Sequence, residues 1–276
     1  MRLERGNTSR PPAVAGLFYP EDPQELREVV SAHLRRAASA TSAAAPPKAL
    51  IVPHAGYVYS GSIAAAAYAR VAARRTAIRR IVLIGPSHRV YLRGMAVPGA
   101  QTFRTPLGSV PIDADLKAAL LRRDDVTEAD APHALEHSLE VQLPFLQLLF
   151  DDFTLLPLVL GSASPQQVGS ALEQAWGDEA TLVLVSSDLS HYHEYEIAAQ
   201  IDAATSAKIL RREPDLVGDQ ACGAVGINGL LHLARSRGLG IEEVARCNSG
   251  DTAGDKSRVV GYGAFAIHEN GPDTAS

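Results

Sequence analysis

Cysteine is scarce in this chain: Cys222 and Cys247 are the only two in 276 residues. Two thiols make no disulfide framework, and no CxxC spacing is present, so a reducing compartment is expected. The opening MRLERGNTSRPP lacks the apolar stretch of a signal peptide, and no apolar run reaches membrane-spanning length. The expected address is therefore the cytoplasm, with no membrane partner. GxxxxGK[ST] is missing, which argues against a P-loop nucleotide site, and no GxGxxG follows a strand. An excess of positive charge is missing too. The formal net charge of −5 argues against a nucleic-acid partner, and the basic run RVAARRTAIRR (70–80) reads as the coat of a helix end.

What is present describes a globular protein. Hydrophobic residues make up 46% of the chain and charged residues 21%, and the length suffices for one sizeable core. Residues 22–38 place Leu26, Val29, Val30 and Leu34 on one helical face, with His33 beside it as a surface residue. Short apolar strands are expected at 49–52, 80–85, 95–97, 153–161 and 181–188, and final strands at 241–245 and 258–269. Helices are expected over 61–75, 165–176, 193–212 and 221–238. Apolar strands separated by helices of ten or more residues imply an α/β fold. Its central sheet is mainly parallel or mixed and is flanked by helices. With no internal repeat and no break in composition, residues 11–269 read as a single domain. Residues 1–10 and 270–276 read as loose termini, and SATSAAAPP (39–47) as a mobile loop.

Open α/β sheets bind ligands beyond the carboxyl ends of their strands. Three strand ends here deliver polar groups. LIVPH puts His54 beyond one strand, LIGPSH puts His88 beyond a second, and LVLVSSDLSH puts Asp188 and His191 beyond a third. A polar stretch before a helix, PHALEHSLEVQLP (132–144), adds Glu136, His137 and Glu140. A helix starting near His137 would bring His137 and Glu140 to one face. Two imidazoles and one anionic ligand hold a non-haem Fe(II) with positions left open, and three protein ligands plus water suit a catalytic zinc equally. Asp188, Glu136, Glu140, Asp251 and the Cys247 thiolate are the candidate anions. Tyr57 and Tyr59 follow His54, where one bonds substrate or packs at the rim. Bland roles fall to the others: Cys222 as a small packing residue, His193 as an ordinary helix residue, Asp188 or Ser190 as a helix cap, and His232 as a satisfied histidine.

The segments PPAVAGLFYP, IVPHAGYVYSG, IGPSH, EHSLEVQLPF, SSDLSHY and RVVGYGAFAI together resemble the Memo-like family, named for a mediator of cell motility and called AmmeMemoRadiSam system protein B in prokaryotes. The resemblance runs from Pro11 to about His268. It implies a fold like that of class III extradiol (LigB-type) dioxygenases. It also implies a pocket of histidines, an aspartate and a cysteine. The metal-site histidines fall on His54 and His88, the aspartate and a further histidine on Asp188 and His191, and the cysteine on Cys247, with Asp251 or a water as the alternative. In the dioxygenases two histidines and a glutamate bind Fe(II) and another histidine acts as acid or base; no matching glutamate stands out in this sequence.

What the resemblance implies is an oxidoreductase dependent on Fe(II), with copper or zinc as alternatives, in which His191 moves protons and Asp188 orients it. Tyr57, Glu136, His137 and Glu140 would support the substrate or the ligands. Implied partners are a small-molecule or peptide substrate, a radical SAM protein and an AMMECR-type protein. The alanine-rich helices are compatible with a homo-oligomer. The competing readings are a non-catalytic protein that binds a peptide or partner, and a zinc hydrolase.

Overall fold

A computed structural model describes residues 9–39 and 46–269. In chain order the elements are β1 (Ser9–Arg10), α1 (Pro23–Ala38), β2 (Ala49–Val52), α2 (Tyr57–Ala69), β3 (Arg80–Pro86), β4 (Met95–Val97), β5 (Thr102–Thr105), β6 (Gly108–Pro111), α3 (Ala114–Leu120), β7 (Val126–Glu128) and α4 (Ala131–Ala134). There follow α5 (Leu143–Leu149), β8 (Thr154–Leu160), α6 (Pro165–Ala175), β9 (Thr181–Ser186), β10 (His191–His193), α7 (Tyr195–Leu210), α8 (Ala224–Arg237), β11 (Gly240–Asn248) and β12 (Val259–His268).

Among the described residues the central sheet has nine strands and is mixed. Its middle, in the order β2-β9-β3-β8, is parallel. β12 runs antiparallel to β2, β4 antiparallel to β8, and both β10 and β11 antiparallel to β12. The middle strands show no polar alternation because helices cover both faces. Leu50, Leu83, Leu182 and Leu184 point to one side, where Val30 of α1, Tyr68 of α2 and Phe145 of α5 meet them. Ile51, Val82, Ile84, Val183 and Val185 point to the other, against Leu172 of α6 and Ile227 and Leu231 of α8. Each fully buried aliphatic side chain contributes about 1.5–3 kcal/mol, so these two layers dominate the stability of the sheet.

Local signals set the helix ends. Asp22 caps α1, accepting from Gln24 N and Glu25 N, with Pro23 opening the first turn. A Ser164–Gln167 capping box starts α6, and Gly238 closes α8 at φ 67°. α2 begins at Tyr57, four residues before the expected start at 61, and its close approach to α1 requires Gly61. A Cβ there would lie 2.8 Å from His33 Nε2, so His33 packs between helices and is not a plain surface residue.

Two further expectations change. Residues 1–10 were expected to be loose, yet Ser9 and Arg10 pair with Thr102 and Phe103 in a separate three-stranded sheet with β5 and β6. Arg10 is buried because Glu140, fully buried, needs a counter-charge. The expected helix from 193 starts at Tyr195. His191–His193 forms a strand on β12 instead, and Glu194, not Asp188 or Ser190, occupies the cap position. Most of the loop expected at 39–47 (residues 40–45), the first eight residues and the tail from 270 lie outside the described residues. Among the described residues no helix is long and apolar enough to cross a membrane.

Candidate metal centre

The carboxyl ends of β2, β3 and β9 adjoin at one edge of the sheet, because these strands are parallel and β9 lies between the other two. His54 follows β2, His88 follows β3 and Asp188 follows β9. The rings of His54, His88 and His137 pack as a triangle, with centroids 5.2 Å, 5.3 Å and 4.8 Å apart. Cys222, just ahead of α8, closes the group with Sγ 3.2 Å from His54 Nε2.

His54 is held by three contacts. Its backbone N–H donates to Asp188 Oδ1 at 2.7 Å, its Nδ1 lies 2.9 Å from Ser186 Oγ, and its Nε2 faces Cys222. Burial, then the nearby imidazoles of His137 and His88, push its pKa well below the ordinary histidine value. A neutral ring is the form that ligates metals.

His88 is oriented by Glu136. The carboxylate can only accept, so His88 Nδ1–H donates to Oε1 at 2.8 Å, and His88 N donates to Oε2 at 2.7 Å. Ser138 N donates to Oε1 at 2.9 Å. Burial alone would raise the Glu136 pKa. The ring nitrogens of His137 and His88 and the Ser138 N–H outweigh it and hold the carboxyl far below its usual range. Glu136 is thus an ionised buried carboxylate, and His88 is left with Nε2 as its coordinating nitrogen. His137 stacks on His88 and on Phe18, and its buried Nδ1 has no hydrogen-bond partner although it lies 3.3 Å from Glu136 Oε1.

Two sets of ligand atoms lie within 4.8 Å of one another: His54, His88 and Cys222, and His88, Glu136 and His137. A cavity of about 1150 Å³ opens onto His54, His88, His137, Asp188, His191 and Cys222. The Asp188 carboxyl is pushed up by burial, against the pull of the His54 N–H and the imidazoles. The Cys222 thiol is pushed up to about 12 by burial and by the Asp188 carboxylate.

The whole arrangement can be set beside known proteins. The family model described as Memo-like protein matches residues 10–266. This chain belongs to the Memo-like family. Two relatives described as MEMO1 family proteins come from Ignicoccus hospitalis, 36% identical over 287 residues with 92% of this chain and 97% of that one covered, and from Aquifex aeolicus, 34% identical over 268 residues with the same coverage. A third, from Methanopyrus kandleri, is 33% identical over 279 residues, covering 94% of this chain and 98% of the relative. Among solved structures, an uncharacterised Escherichia coli protein shares the fold, with TM-score 0.53, 14% identity, and coverage of 79% of this chain and 98% of that one.

Within this Memo-like chain, the strand-end histidines, Asp188, Glu136 and His137 come together; several other expected residues do not. Cys247 lies on β11 opposite Tyr262 but packs against the core layer on one face of the sheet, and it does not line the cavity. Cys222, read from sequence as packing, holds the place instead. Asp251 is engaged elsewhere, accepting from Asn248 N and Tyr195 Oη. Glu140 anchors the N-terminal segment: Arg10, the Tyr19 hydroxyl and the N–H groups of Ala13 and Val14 all donate to it. Tyr57 is buried and donates to Val141 O at 2.6 Å, while Tyr59 lines the cavity. His193 also lines the cavity. The available signal for Cys222 was its place just before a helix, a site that favours thiolate ligands.

Proposed function

We propose that this Memo-like protein is a metal-dependent oxidoreductase whose ion is held by His54, His88 and Cys222. The observation that carries this reading is the convergence of their ligand atoms within 4.8 Å beside a large cavity. The donor chemistry fits: two imidazoles with free Nε2 atoms and a thiol suit iron, copper or zinc better than magnesium or calcium. Fe(II) is the ion this reading takes, in keeping with the likeness of the family to extradiol dioxygenases; bound there, it would supply open positions for dioxygen and a substrate oxygen.

The remaining roles belong to the chain. Glu136 orients His88 and already accepts three N–H donors, which favours it as a supporting group over a ligand. His191 and Asp188 face the same cavity and serve as proton-holding groups, Asp188 through a carboxyl that burial pushes up. Tyr59 and Phe18 form cavity walls that position an organic substrate and exclude water.

Metal analysis of anaerobically purified protein tests the reading, with stoichiometric iron or copper expected, and dioxygen uptake on adding reductant. Protein that retains only zinc, or that takes up no metal at all, overturns it. The 3.2 Å Cys222–His54 contact also favours a second reading, a thiol nucleophile with an imidazole base. It is weaker because burial pushes the thiol up and the imidazole down, away from the reactive ion pair.

A further inference from the structure

A metal ligand must present a bare nitrogen, and a neutral imidazole has only one. Which nitrogen of His54 is bare is decided by the group facing the other, Ser186 Oγ, 2.9 Å from Nδ1. A serine hydroxyl has one proton and two lone pairs, so its bonds can be counted. The proton goes to Ser138 O, 2.6 Å away. One lone pair accepts from Gln142 Nε2 at 2.9 Å. The amide of Gln142 is not free to turn, because the same Nε2 donates to Pro53 O at 2.9 Å and Oε1 accepts from the Tyr68 hydroxyl at 2.7 Å. One lone pair of Ser186 remains, and only an N–H on His54 Nδ1 completes it.

We infer that Ser186 is a positioning residue of the metal centre: the saturated contacts Ser138–Ser186–Gln142 hold His54 in its Nδ1–H tautomer and turn a bare Nε2 toward Cys222. This rests on the metal reading of the site. The opposite tautomer would require Ser186 to turn its proton to Nδ1 and abandon Ser138 O inside the core, where an unmatched polar group is costly. Ser186 itself is fully buried and offers no atom to the cavity. Ser138 ties this device to the second ligand, since its N–H donates to the Glu136 carboxylate that orients His88. One short segment, Glu136–Gln142, thus sets the rings of both histidines while contributing no ligand to the His54, His88 and Cys222 set.

The test uses full-length metal-free protein with ¹⁵N-labelled histidine. A long-range ¹H–¹⁵N spectrum separates protonated from bare ring nitrogens, and titration with Co²⁺ reports affinity. In the unaltered protein His54 is expected to show a protonated Nδ1 and a bare Nε2. In Ser186→Ala the other tautomer should appear and Co²⁺ affinity should fall about 10–100-fold, the usual range for losing an outer partner of a metal ligand. A merely structural serine would lower the melting temperature without moving the nitrogen shifts. A protonated Nε2 in the unaltered protein overturns the inference, and that spectrum needs no variant if Ser186→Ala fails to fold. Normal Co²⁺ binding with shifts and affinity unchanged in Ser186→Ala overturns the inference alone. A bare Nε2 in protein that takes up no Co²⁺ overturns the metal reading, and the inference with it.

Discussion

His54 Nε2 and Cys222 Sγ face each other across 3.2 Å, although 168 residues separate them in the chain. His54 lies just past β2, and Cys222 just ahead of α8. If this contact is the heart of a metal centre, the two cysteines must behave differently. Cys222→Ser should abolish the sulfur-to-metal charge-transfer band of the Co²⁺-loaded protein and weaken binding by at least tenfold. Cys247→Ser, out on β11, should leave both unchanged. Absorption spectra of the two variants decide between the cysteines.

Glu136 acts through His88. Glu136→Gln keeps the shape but leaves one acceptor oxygen for the His88 ring, His88 N and Ser138 N, with an amide NH2 set against one of these donors. Metal affinity should fall about 10–100-fold with little change in fold, as expected for an orienting carboxylate. Competition with a chelator measures it. An effect as large as that of His88→Ala would instead make Glu136 a direct ligand.

Metal binding should release a proton. Burial and Asp188 push the Cys222 thiol up to about 12, so the sulfur is protonated at neutral pH and must lose its proton to coordinate. His54 contributes no proton there, because burial already keeps it neutral. Apparent Co²⁺ affinity should therefore rise about tenfold per pH unit between roughly pH 7 and 9. Calorimetry in buffers of different ionisation heat counts the proton; a flat affinity would mean that the thiol is not a ligand.

Arg10 and Glu140 form a buried ion pair at 2.5 Å, both side chains almost wholly inaccessible. Arg10→Met should cost about 3–5 kcal/mol, because it strands the Glu140 charge. Arg10→Met combined with Glu140→Gln should recover part of the loss. Urea unfolding of both variants measures the difference.

Acid should destabilise the fold through His133. Burial pushes its imidazole down to about 4, and its Nε2 donates to Ala96 O at 2.9 Å. The folded pKa lies below the unfolded value of about 6.5, so between the two the unfolded chain binds a proton that the folded one does not. Stability should fall as pH drops through that window, by up to about 1.4 kcal/mol per unit from this residue. His133→Leu should flatten the slope by one proton in unfolding curves taken from pH 7 to 4.5. His54 acts in the same direction, so the comparison with the unaltered protein isolates His133.

The long strands were legible because apolar runs buried on both faces have few alternatives to a covered sheet: ALIV, RIVLIG and TLVLVS all became parallel strands. The short elements Thr102–Thr105, Gly108–Pro111, Ala114–Leu120 and Val126–Glu128 were not read. Runs of three to seven residues carry little periodicity, and neighbours in space stabilise them. The expected helix from His137 became a 3₁₀ turn at Glu140–Gln142 followed by α5. Glu136, Glu140 and Gln142 all turn inward to bonds with distant residues, which outweigh local helix preference.

Parallel strands with polar residues just past their ends bring those residues to one edge, so His54, His88 and Asp188 could be grouped before any contact was known. Three things were decided only by tertiary structure: which cysteine joins them, which carboxylate orients a ring, and which nitrogen of His54 is bare. Cys222 reaches the site because α8 packs against the sheet beside β9, while Cys247 packs against the core layer on the other face. The tautomer rests on a count of protons among Ser138, Gln142 and Ser186, residues brought together across 44 and 48 positions of chain. Neither result has a local signal, because each depends on distances that the packing of separate elements sets.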